Sequence, residues 1–139
     1  MAIIFVAFGS FSAFLIYLFL NFAGSDIESV IKGDNQIAVI KVEGIIDSSD
    51  EVIKHINECA NNKKVKGILL RINTPGGGVA PSQEIYKELV RFKNTGKKLV
   101  VSMGSLSASG GYYIAAPADK IVANPGTITG SIGVIFNFT

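Results

Sequence analysis

One cysteine, one histidine and almost no net charge set the first limits on this 139-residue sequence. Cys59 stands alone, so neither an intrachain disulfide nor a cysteine-based metal cluster is available. His55 is the only imidazole, and any Ser-His-Asp arrangement would have to use it. It falls in mid-helix beside Lys54 and near Glu58, on the side the helical pattern leaves to solvent. The 13 basic and 11 acidic residues leave a net charge of +2, mixed along the body, which is no nucleic-acid footprint. The lysine-rich run NNKKVKG at 61–67 sits between a predicted helix and a predicted strand and reads as a solvated loop.

Charge is absent altogether from Ala2 to Ala23, AIIFVAFGSFSAFLIYLFLNFA. About 20 apolar residues suffice for a helix to cross the hydrocarbon core, so this segment is long enough for a transmembrane anchor. A cleaved signal peptide fits less well: no basic residue precedes the run, and NFAGSD is a weak cleavage site. With no Lys or Arg ahead of the segment and Lys32 the first behind it, the positive-inside rule has little to count. Residues 24–36 read as a linker out of the membrane.

The body, 37–139, alternates two periodicities. IAVIKVEGII (37–46), GILLRI (67–72), KLVVSM (98–103), DKIVAN (119–124) and GSIGVIF (130–136) read as strands. SSDE (48–51) matches a capping box, with Ser48 as N-cap and Glu51 three residues on. The helix it opens runs to about Asn61 and turns Val52, Ile56 and Cys59 inward. PSQEIYKELVRFKNT (81–95) is a second amphipathic helix with Ile85, Leu89 and Phe92 inward, and Gly96 ends it. NTPGGG (73–78) reads as a glycine-rich turn, and a short helix opens near Ser109 and stops before Pro117. The fold class is therefore α/β, with a mostly parallel sheet that connecting helices cover on both faces.

The chemistry centres on SLSASGGYYIAAPADK, 105–120. A serine hydroxyl needs a base to take its proton and donors for the oxyanion formed on attack. Ser109 opens a helix, beside the N–H of Gly110, and Gly110 and Gly111 leave room for a substrate chain. Gly76 and Gly77 in TPGGG offer a second donor segment. S-A-S-G-G is not the G-x-S-x-G elbow, and capping a helix is the competing role for Ser109. No base is in sight. Lysine serves when burial lowers its pKa, but the lysines here sit at strand starts or on helix surfaces. Lys120, close after Ser109, begins a strand at the opposite edge of the sheet.

IAVIKVEGII, GILLRINTPGGGVAPSQEIYKEL and KLVVSMGSLSASGGYYIAAPADKIVANPGTITGSIGVI, in order and spanning nearly all of 37–135, resemble the signal peptide peptidase SppA family of serine peptidases, family S49. The resemblance implies a ClpP/crotonase-like repeated β-β-α superhelix behind one N-terminal transmembrane helix. It implies Ser109 as nucleophile, an oxyanion hole from Gly77, with Gly76 beside it, and Gly110, and Ser131 of TGSIG as the residue that orients the base. That base is a lysine past Thr139, which makes the chain the N-terminal part of a longer enzyme and inactive alone. Thr74 stands where serine is more usual, and Ser107 where alanine is common. The resemblance further implies peptide substrates left by signal-peptide cleavage, no metal or other cofactor, a homo-oligomer, and a body on the extracytoplasmic side of the cytoplasmic membrane. Three alternatives compete: a ClpP-class membrane protease of stomatin-operon type, an acyl-CoA enzyme on the crotonase fold, and a non-catalytic oligomerising scaffold.

Overall fold

A computed structural model of the chain describes residues 34–135. The expected anchor at 2–23 and the linker up to residue 33 lie outside the described residues, as do residues 136–139. Among the described residues no helix is long and apolar enough to cross a membrane.

The apolar runs become strands β1 (Gln36–Ile46), β2 (Val65–Gly77), β3 (Lys98–Ala108), β4 (Lys120–Val122) and β5 (Ile128–Gly130). Between them lie helices α1 (Asp50–Asn61), α2 (Val79–Asn94) and α3 (Gly110–Ala115). Every strand pairing is parallel, in the order β1-β2-β3-β4, and β5 joins the far end of β3.

Strand alternation decides the layers. Ala38, Ile40 and Val42 of β1, Ile68, Leu70 and Ile72 of β2, and Leu99, Val101 and Met103 of β3 are buried. They form one core with Ile56 and Cys59 of α1, Ile85, Leu89 and Phe92 of α2, and Ile114 of α3. Leu70, Leu89 and Leu99 are 0% exposed, and cutting any of them to alanine costs about 2–5 kcal/mol. The residues in between, Lys41, Leu69, Arg71, Val100 and Ser102, are half-buried or exposed. The described helices thus cover one face of the sheet, not both as expected. On the other face Lys41, Arg71 and Ser102 alternate with the half-buried Val39, Leu69 and Val100, a face that no described helix covers.

Local expectations fail in four places, three of them through a tertiary partner. TPGG (74–77) is the end of β2, not a turn: Gly76 and Gly77 pair with Ile45 and Ile46. β3 likewise runs on to Ala108, because Leu106, Ser107 and Ala108 pair with β5. The capping box does not form. Ser49, not Ser48, precedes α1, and its hydroxyl donates to Glu84 on α2, while Ser48 Oγ accepts the Asp50 N–H at 3.2 Å. The fifth strand occupies 128–130 rather than 130–136. Gly130 (φ 79°) and Ser131 (φ 50°) turn the chain off the sheet, and 131–135 are irregular. Gly96 ends α2 as expected, at φ 82°, with its N–H on the Lys93 carbonyl at 2.9 Å.

Two basic side chains fasten the ends of elements. Lys97 Nζ donates to the carbonyls of Cys59, Ala60 and Asn62 at 2.6, 2.7 and 2.9 Å, supplying the cation that the last turn of α1 lacks. Lys93 pairs with Asp119 at 3.2 Å, and Asp119 in turn accepts the N–H of Leu99 at 2.8 Å.

Candidate active site

β3 enters α3 through Ser109, and the joint is sharp. Ser109 has φ 52° and ψ −120°, a left-handed conformation that a non-glycine residue adopts at a cost of about 1–3 kcal/mol. Two backbone bonds hold it there: its N–H donates to the Gly130 carbonyl at 2.7 Å, and its carbonyl accepts the Tyr113 N–H at 2.9 Å. Its side chain makes no capping bond, so the role of ordinary helix cap does not describe it. Strand, strained serine, helix is the geometry of a nucleophile elbow, reached without the G-x-S-x-G spelling.

Small residues make that joint possible. A Cβ on Gly76 would lie 2.7 Å from the Gly110 nitrogen and 2.8 Å from Ser109 Cβ. A Cβ on Gly110 would collide with Ser82 Oγ, and one on Gly111 would lie 2.6 Å from Thr74 Cγ2. The end of β2 therefore lies directly against the start of α3, with no side chain between them.

A cavity of about 220 Å³ opens at the joint, lined by Gly77, Val79, Ser82, Gln83, Ser109, Gly110, Tyr113, Ile132, Gly133 and Val134. The structure thus brings Ser109, Gly77 and Gly110 to one cavity, and backs Gly76 onto Ser109. Ser131 is exposed, in the turn after β5, next to Ile132 of the cavity wall. The N–H of Gly76 donates to Thr74 Oγ1 at 2.9 Å, so what Gly76 contributes is close approach. Val79, Ile132 and Val134 make one side of the cavity apolar. At the other side Tyr113 donates its hydroxyl to Gln83 Oε1 and stacks on Tyr86 with ring centroids 4.7 Å apart.

Among the described residues that line this cavity none is a lysine, histidine, aspartate or glutamate. His55 lies at a different cavity, with Lys41, Glu43 and Glu51. Among the described residues no three His, Cys, Asp or Glu side chains converge as metal ligands would. Cys59 is buried, and that burial, with the Glu58 charge beside it, pushes its thiol pKa up. Sequence reasoning missed Thr74, Ser82, Gln83 and Tyr113. Thr74 carried a local signal, a hydroxyl two residues ahead of a glycine amide; Tyr113 lies one helical turn after Ser109, and Ser82 and Gln83 meet Ser109 only through the packing of α2 on α3.

Residues 91–139 match the sequence profile of Peptidase family S49. The chain is 41% identical over 113 residues to protease 4 of Haemophilus influenzae, in an alignment covering 75% of this chain and 18% of that protein. It is 35% identical over 116 residues to the chloroplastic serine protease SPPA of Arabidopsis thaliana, covering 74% of this chain and 17% of the relative. The chain therefore spans less than a fifth of the length of these two relatives. Among solved structures, a mutant of the 1510-N membrane-bound stomatin-specific protease superposes with a TM-score of 0.65 at 23% identity, over 78% of this chain and 53% of that one. A probable enoyl-CoA hydratase from Mycobacterium smegmatis does so with a TM-score of 0.54 at 20% identity, over 76% and 51%. At such identities these two speak to the fold, an α/β fold with a mostly parallel sheet and ClpP/crotonase-like neighbours. The profile match over residues 91–139 and the curated relatives show that the chain is similar to members of peptidase family S49.

Proposed function

We propose that the chain carries the nucleophile and oxyanion hole of a membrane-anchored serine endopeptidase of signal peptide peptidase type. The observation that carries this reading is the strained Ser109 elbow opening into a cavity that Gly77 and Gly110 also line. Ser109 Oγ attacks the scissile carbonyl, and the N–H groups of Gly77 and Gly110 receive the oxyanion. The hydroxyl proton passes to a lysine amine and from there to the departing amine, leaving an acyl-enzyme that water hydrolyses. That lysine belongs to a part of the enzyme outside the described residues, with Ser131 orienting it. In support, no described cavity-lining residue can take a proton from Ser109 at neutral pH.

The apolar wall of Val79, Ile132 and Val134 suits the apolar side chains of signal-peptide remnants and other short unfolded peptides. The uncharged run 2–23 would hold the enzyme at the cytoplasmic membrane, body outside, as a homo-oligomer. The test is hydrolysis of a fluorogenic apolar peptide by the full gene product in detergent. Activity lost in Ser109→Ala supports the reading, and activity unchanged in that variant refutes it. The isolated 1–139 polypeptide is expected to hydrolyse nothing; Ser109-dependent cleavage by it would place the base within the chain.

A further inference from the structure

We propose that Thr74 is a positioning residue for the oxyanion hole, acting through Gly76 on the amide of Gly77. The inference rests on the reading of Ser109 as nucleophile and Gly77 as donor. Thr74 is fully buried and sits opposite Ser107, where the register of β2 against β3 shifts. Its hydroxyl is used twice within two residues: Oγ1 accepts the Gly76 N–H at 2.9 Å and donates to the Gly76 carbonyl at 3.3 Å. This ring closes on Gly76 at φ 99°, a conformation glycine adopts readily and other residues resist.

The bond commits the amide next to the proposed donor and fixes the peptide that leads into Gly77. The Gly76 N–H is held by Thr74, and the Gly78 N–H donates to the Ile46 carbonyl at 2.7 Å. Gly77, between them, lines the cavity beside Ser109 and Gly110. The methyl of Thr74 meanwhile abuts Gly111, one residue beyond the other proposed donor. One buried side chain thus contacts the neighbour of each proposed donor, Gly76 beside Gly77 and Gly111 beside Gly110. Its neighbour Ser107, equally buried, has a hydroxyl with no partner among the described residues. The hydroxyl of Thr74 is committed to Gly76, and the two do not act as a generic polar pair in the core.

Variants of the full-length enzyme separate hydroxyl from methyl. Thr74→Val keeps the shape and loses the hydroxyl; Thr74→Ser keeps the hydroxyl and loses the methyl. A donor displaced by a fraction of an ångström costs less than a donor deleted, so Thr74→Val is expected to lower kcat roughly tenfold to a hundredfold. KM should stay within about twofold, because the loss falls on the transition state. Amide exchange at Gly76 should accelerate in Thr74→Val, and Thr74→Ser should restore both kcat and protection. Should the valine variant not fold, Thr74→Ala against Thr74→Ser reads the hydroxyl alone, and the same gap in kcat is expected. Equal kcat across that pair, or an unchanged kcat in Thr74→Val, overturns the proposal. If Ser109→Ala abolishes hydrolysis while Thr74→Val does not change it, this proposal alone fails. If Ser109→Ala leaves hydrolysis intact, the nucleophile reading fails with it.

Discussion

Replacing Ser109 by glycine should destroy activity and raise stability at once. Ser109 holds φ 52° and ψ −120°, a conformation in which a Cβ costs about 1–3 kcal/mol. Its hydroxyl makes no capping bond that the change would lose. Glycine removes the strain and brings its own penalty, about 0.5–1 kcal/mol of extra freedom in the unfolded chain. The difference leaves about 1 kcal/mol in favour of the variant, a rise in Tm of about 4–8 °C for a domain near a hundred residues. Calorimetry and urea unfolding of wild type and Ser109→Gly side by side would measure it. An unstrained helix cap gives the opposite sign, a loss of a few tenths of a kcal/mol on going to glycine. A Ser109→Gly protein less stable than wild type would therefore refute the account of the elbow, whatever happened to activity.

Ser107→Ala should leave stability unchanged or raise it by up to about 1 kcal/mol in urea unfolding, because the buried hydroxyl has no partner among the described residues. Lys97→Met keeps the aliphatic stem and removes the cation from three carbonyls at the end of α1; a loss of about 1–2 kcal/mol, with faster amide exchange in that last turn, is expected. For Asp119, the Leu99 N–H first and Lys93 second hold the carboxyl below its ordinary pKa. A lowered folded-state pKa favours folding above the unfolded value, near about 3.9, and that contribution is lost as pH falls toward the folded value. Tm measured against pH should thus show Asp119→Asn below wild type at neutral pH, with the gap closing in acid; a gap constant with pH would count against this.

What the sequence made legible was whatever a single element decides. Ile85, Leu89 and Phe92 recur at the helical period, and Gly96 follows them, so α2 and its end were readable to within a residue or two. TPGG was misread because glycines beside a proline signal a turn, while the β1 backbone that pairs with them is far away in the chain. The capping box failed for a similar reason, since Ser49 and Glu84 meet only once α1 packs on α2. The open face of the sheet was written in Lys41 and Arg71, but the neighbouring Ile, Leu and Val residues masked the alternation. Ser109 was singled out from its place before Gly110 and Gly111. Its strain was not, because φ there is fixed by Gly130 on one side and α3 on the other. Gln83 and Tyr113, 30 residues apart, meet only in the folded chain.

The central claim is that Ser109 is an activated nucleophile, and covalent labelling tests it most directly. The full gene product would be treated with a fluorophosphonate and digested with trypsin. The peptide Leu99–Lys120, which carries Ser102, Ser105, Ser107 and Ser109, would then be sequenced by mass spectrometry. A single adduct on Ser109, absent after Ser109→Thr, is the expected result. An unlabelled peptide from an enzyme that hydrolyses peptides, or an adduct on another of these serines, would contradict it.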